Sequence, residues 1–211
     1  MRVHFVHGWA FDAAMWQPLA VRMPGLSATF ADRGYFGGRG DSAPQQPAVW
    51  ITHSLGTLLA LEDIPAQCCA LVAIGGFDRF CASEGVAGVA PRILDRMLGR
   101  FDGAPHHVVA TFREQCGSNE PIGQIDCDSL RADLGTLRDM DCRARAAALA
   151  LPVLSLHGSN DPILPEAMRA QTLHNVANAR HIQHPVAGHL LPLEDPEWCA
   201  VQISAFLEAV C

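Results

Sequence analysis

Apolar residues in this chain fall into short runs separated by glycine- and proline-rich turns. Val3–Val6, Ser27–Ala31, Ala48–Ile51, Ala70–Gly75, Leu151–Leu156 and His181–His184 each read as a strand. The run ALVAIG is apolar at every position, which suits a parallel sheet covered on both faces. Helical spacing is predicted over 13–23, 57–61 and 196–210. From Phe77 to about Ala148 the pattern turns helical, with Ile93, Leu94, Met97, Leu98 and Phe101 on one face and no continuous apolar strand. The expectation is a single α/β domain with a mostly parallel sheet of about six strands. Residues 1–76 and 149–211 form its core, and 77–148 form an inserted helical cap.

Composition narrows the function classes. With 49% hydrophobic residues, 18 Gly, 14 Pro and 18% charged residues, the chain suits a folded domain with a buried sheet rather than a disordered or fibrous protein. No apolar run approaches the roughly 20 residues of a membrane span, and the first residues read as a strand rather than a cleavable signal, so a cytoplasmic protein with no membrane partner is expected. The eight cysteines form no CxxC pair, and no metal site, disulfide framework or cofactor is expected. A net charge of −7 argues against a nucleic-acid partner. All 15 basic residues are arginine, and nine of them lie between Phe77 and Ala146, which permits locally positive faces there.

Candidate chemistry sits at strand ends. Ser54 lies in T-H-S-L-G between a predicted strand and a predicted helix, where a sharp turn lifts its hydroxyl above the sheet edge. Thr52 departs from the glycine usual at the first position, and its branched side chain implies local adjustment. Asp161 follows a strand and a Gly-Ser-Asn turn, and His189 follows a strand and an Ala-Gly turn. A serine hydroxyl needs a histidine to take its proton, an acid to hold that histidine, and donors for the oxyanion. Ser54, His189 and Asp161 supply the first three, and the backbone N–H groups of Trp9 and Leu55 are the expected oxyanion donors. Each alone has a plainer reading: the serine as a helix N-cap, the other two as turn residues. His53 is a rival base by proximity, but adjacent residues on such a turn project in different directions. His7 is expected to hydrogen-bond within its own loop.

The segments HGWAFD, THSLG, HGSNDPILP and AGHLLPLEDP resemble motifs of the α/β-hydrolase superfamily, spread over nearly the whole chain. Within it the chain most resembles the pimeloyl-[acyl-carrier protein] methyl ester esterases of biotin synthesis, through Trp9, Met15-Trp16, the run Ile93–Gly117 and the stretch from Leu134 to Arg143. This resemblance implies a serine carboxylesterase acting on a methyl ester carried by acyl carrier protein, with Trp9 and Phe112 beside the substrate. It also implies arginines of the cap gripping the acidic carrier. Arg92, Arg96 and Arg100 recur every four residues on one helix face, and Arg113 and Arg138 join them as further docking candidates. The plainer reading is that these arginines pair with Asp95, Asp102 and Glu114 on a solvated surface.

The chain departs from that family by lacking its first two strands and a helix before the strand that carries Ser54, so a truncated fold is expected. Exposed sheet would favour a homodimer. Other functional readings are a general short-chain carboxylesterase or thioesterase without a carrier, C–C bond hydrolysis, and a non-catalytic hydrolase-like binding protein.

Overall fold

The computed structural model describes residues 1–210; Cys211 lies outside the described residues. Six strands form one fully parallel sheet in the order β2-β1-β3-β4-β5-β6. They are β1 (Arg2–Val6), β2 (Ser27–Ala31), β3 (Ala48–His53), β4 (Cys68–Ile74), β5 (Val153–Gly158) and β6 (Ala179–His184). The helices are α1 (Gln17–Ala20), α2 (Leu55–Glu62), α3 (Pro91–Phe101), α4 (Pro105–Gln115), α5 (Cys127–Asp139), α6 (Arg143–Ala147), α7 (Glu166–Gln171), α8 (Leu191–Glu194) and α9 (Pro196–Val210). β3 and β5 are buried at every residue, as expected for central strands with helices on both faces.

β3 runs two residues past the apolar stretch. Thr52 pairs with Ala73 and His53 with Ile74, so the ladder continues into polar residues. Thr52 Oγ1 lies 2.7 Å from Thr57 Oγ1 and donates to the Val72 carbonyl, and His53 Nε2 donates to the His189 carbonyl at 2.9 Å while its buried Nδ1 has no partner. Similar internal partners replace water for His4, which bonds Thr29 Oγ1 at 2.8 Å. The segment expected as one helix over 13–23 is instead a 3₁₀ turn at Ala13–Trp16, capped by Asp12, followed by α1 with Pro18 in its first turn.

At the sheet edge, Asp41 Oδ2 accepts the Phe30 N–H at 2.9 Å and the Asp41 N–H donates to the Phe30 carbonyl at 2.7 Å. The link to β3 thus covers part of the edge that its lack of a helix would leave bare. Helices α3 to α6 are inserted between β4 and β5. They reach the carboxyl ends of the strands, because Trp9, just past β1, donates its indole N–H to the Leu130 carbonyl of α5 at 2.8 Å and meets Phe112 of α4 edge-on with centroids 4.9 Å apart.

A second link is polar. Arg33, beyond β2, makes two 2.7 Å bonds to the Asp133 carboxylate of α5, and the Tyr35 hydroxyl donates to the same carboxylate at 2.5 Å. Tyr35 and Asp133 are buried, so this charge is compensated where water cannot reach it. No disulfide forms among the described cysteines. Among the described residues no helix is long and apolar enough to cross a membrane, and no cluster of three or more His, Cys, Asp or Glu could hold a metal ion.

Candidate active site

Ser54 is the residue at which β3 turns into α2. Its φ is 52° and its ψ −122°, a conformation that costs a non-glycine residue energy and is kept only where the surroundings enforce it. The enforcement is visible. The Ser54 N–H donates to the Ile74 carbonyl at 3.2 Å, and α2 begins against the end of β1. A Cβ at Gly56 would lie 2.7 Å from the His7 carbonyl oxygen, and one at Gly8 would lie 2.9 Å from the Ser54 Cβ. Only glycines allow the two chain segments to approach this closely. Thr52 is tolerated where glycine is usual because its hydroxyl points into the bond with Thr57 rather than into the turn.

His189 approaches from the loop after β6. Its Nε2 lies 3.1 Å from Ser54 Oγ, and its Nδ1 lies 2.7 Å from Asp161 Oδ2. Nδ1 carries the proton given to the carboxylate, which leaves Nε2 free to accept from the serine hydroxyl. Asp161 Oδ1 accepts the backbone N–H groups of Ile163 at 2.7 Å and Leu164 at 2.9 Å. Burial works against charge on Asp161, but the adjacent His189 and these bonds outweigh it and hold the carboxyl below its ordinary pKa. All three side chains are buried.

The neighbouring histidines have other employment. His53 is fully buried; desolvation, reinforced by His189, pushes its pKa down to about 3, so it is neutral, and its Nε2 bonds the His189 carbonyl rather than Ser54. His7 donates through Nδ1 to the Gly8 carbonyl at 2.8 Å and accepts the Arg33 N–H through Nε2 at 2.9 Å, which fixes the loop that carries Trp9. Ala10, next in that loop, has φ 62°.

Residues 5–202 match the family model described as the alpha/beta hydrolase family. The chain belongs to that family. Two pimeloyl-[acyl-carrier protein] methyl ester esterases are similar to this hydrolase. The one from Pectobacterium atrosepticum is 24% identical over 240 residues and the one from Pectobacterium carotovorum 25% over 239, each match covering 97% of this chain and 93% of the relative. Among solved structures, an esterase from Exiguobacterium antarcticum matches with a TM-score of 0.84 at 17% identity, over 99% of this chain and 92% of that one. A bromoperoxidase from Bacillus anthracis also reaches 0.84, at 13% identity, over 98% of this chain and 91% of that one. At such identities these structural matches speak for the fold.

In this hydrolase a cavity of about 420 Å³ lies among the inserted helices and the Pro162-Ile163 turn that follows Asp161. Phe80, Leu94, Met97, Phe112 and Leu134 contribute to its walls, and no charged side chain does. Phe112 thus touches both this cavity and Trp9. Trp9 itself is buried, its indole committed to Leu130.

The five candidate docking arginines divide into two groups. Arg92, Arg96 and Arg100 are exposed on α3 and have no ion pair among the described residues, because Asp95 pairs with Arg138 at 2.6 Å and Asp102 with Arg131 at 2.8 Å. Arg113 is half-buried, with its guanidinium 5.1 Å above the Phe11 ring and 5.4 Å from that of Phe36, and Nη1 pointing to the Ala10 carbonyl at 3.4 Å. Arg113 and Arg138 are therefore engaged within the molecule.

Sequence reasoning missed two parts of the surroundings. Asp133 lies 100 residues from Arg33, and no local pattern joins them. Glu194 was visible in the segment LPLED after His189, but the peptides it holds could be identified only in three dimensions.

Proposed function

We propose that this protein is a carboxylic ester hydrolase in which Ser54 is the nucleophile, His189 the general base and acid, and Asp161 the group that orients and stabilises His189. The observation that carries this reading is the continuous line of hydrogen bonds from Ser54 Oγ through His189 to Asp161, at 3.1 and 2.7 Å. Ser54 Oγ attacks the ester carbonyl while its proton passes to His189 Nε2, and the imidazolium formed faces an ionised Asp161. The backbone N–H groups of Trp9 and Leu55 stabilise the oxyanion. His189 then protonates the departing alcohol. Water, deprotonated by the same nitrogen, attacks the acyl-enzyme and releases the acid, restoring Ser54.

The ester we favour is the methyl ester of a pimeloyl chain on acyl carrier protein, in biotin synthesis, with methanol as the alcohol released. The names of the two Pectobacterium relatives support this choice, as does the uncharged cavity, which suits an apolar acyl chain beside Phe112 and Trp9. Residues 77–148 act as the cap over the site, and the exposed Arg92, Arg96 and Arg100 face receives the acidic carrier. The test compares hydrolysis of pimeloyl-carrier methyl ester with that of p-nitrophenyl butyrate. Efficient turnover of the carrier substrate is expected; activity on the small ester alone would replace the biotin reading with a general carboxylesterase.

A further inference from the structure

The loop that brings His189 to Ser54 has no regular structure of its own, yet its backbone is held on every side. Glu194 of α8 accepts the Gly188 N–H through Oε2 at 2.6 Å and the Leu190 N–H through Oε1 at 3.1 Å. These are the N–H groups of the residues on either side of His189. The carbonyl of His189 itself accepts from His53 at 2.9 Å. A few residues earlier, His184 Nδ1 accepts the Ala187 N–H at 2.9 Å.

We infer that Glu194 is a positioning residue for His189, a single carboxylate that fixes the backbone on both sides of the proposed base and so sets its Nε2 against Ser54 Oγ. The inference rests on the triad reading given above. Hydrogen bonds from peptides to an ionised carboxylate are shorter and stronger than neutral ones, and a bidentate acceptor fixes direction as well as distance. No cationic side chain pairs with Glu194 among the described residues, so its charge is directed to these two peptides. A helix cap alone would explain the bond to Leu190, at the start of α8, but Gly188 lies outside that helix. Asp161 aligns the ring of His189 through Nδ1, and Glu194 aligns the backbone from which that ring projects.

Because Glu194 is exposed, its replacement leaves no buried charge or cavity. The test uses the full chain with Glu194→Ala and Glu194→Gln, measuring kcat and KM for p-nitrophenyl butyrate and the rate at which a fluorophosphonate labels the protein. Thermal midpoints are measured beside them. For Glu194→Ala, kcat and the labelling rate are expected to fall by roughly tenfold to a hundredfold, with KM changed by less than about twofold. Glu194→Gln, whose amide has one acceptor oxygen in place of two, should fall between it and the unaltered protein. A lowered thermal midpoint with kcat and labelling unchanged at 25 °C would reduce Glu194 to a helix cap and overturn the inference. Should the alanine variant fail to fold, the near-isosteric glutamine variant decides by the same readouts. Ser54→Ala separates the two claims: hydrolysis surviving in that variant sinks the triad, whereas an inactive Ser54→Ala beside a fully active Glu194→Ala sinks only the positioning role.

Discussion

Arg138 donates to the Asp95 carboxylate at 2.6 Å, and this pairing leaves Arg92, Arg96 and Arg100 on the same helix without an acidic partner. Asp95 is the carboxylate that three-residue spacing along α3 would have assigned to Arg92. Its capture by α5 turns the three-arginine face into exposed, uncompensated positive charge on a protein whose net charge is −7. Reversing charge with Arg92→Glu and Arg96→Glu together is expected to lower kcat/KM for pimeloyl-carrier methyl ester by roughly tenfold or more, with the loss shrinking as salt rises. Hydrolysis of p-nitrophenyl butyrate should stay within about twofold. Equal loss on both substrates would remove the docking role.

Arg113 is expected to behave differently. It touches the Ala10 carbonyl and lies over Phe11 and Phe36, so it braces the loop that carries the proposed Trp9 oxyanion donor. Arg113→Ala should lower kcat on the carrier ester and on p-nitrophenyl butyrate alike, by up to about tenfold, on the scale of the roughly 0.5–2 kcal/mol of a half-buried cation–π contact. Steady-state kinetics on both substrates checks this, and a loss confined to the carrier substrate would return Arg113 to the docking face.

Stability should fall in mild acid. Burial pushes the pKa of His53 down to about 3 and that of His157 down to about 4, and it also lowers that of His7. In the unfolded chain each takes up a proton near 6.5. The folded state therefore binds fewer protons below that value, and the stability present above about pH 6.5 is lost as the pH falls towards the folded values. His53 and His157 each remove about 1.4 kcal/mol by pH 5.5, and His7 acts in the same direction. His4 and His181, whose pKa burial also lowers, add to the loss, and Asp78, whose carboxyl burial pushes up, opposes it. Urea midpoints at pH 7.5 and 5.5 should show a clear drop; equal midpoints would mean that these histidines are not neutral in the fold.

Much of this was legible in the residues. All six strands were predicted; apolar runs marked the buried central ones, whereas the half-exposed edge strands β2 and β6 were read from short runs between turn segments. Ser54, Asp161 and His189 were legible because each ends such a run, and the structure does bring the three side chains together. Hidden from the sequence were the groups whose partners are set by packing. Thr52 and the Nε2 of His53 find partners at the end of β3 only because Thr57 and the His189 carbonyl are packed there, and Asp133 is tolerated inside α5 only because Arg33 and Tyr35 arrive from a distant loop. The helices α7 and α8 are too short to display a period.

The central claim is that Ser54 is the nucleophile, and the rate of ester hydrolysis by Ser54→Ala against the unaltered protein tests it most directly. With the nucleophile removed and the site otherwise intact, kcat on pimeloyl-carrier methyl ester is expected to fall by on the order of 10⁴-fold or more. Hydrolysis by Ser54→Ala within about tenfold of the unaltered protein would contradict the account.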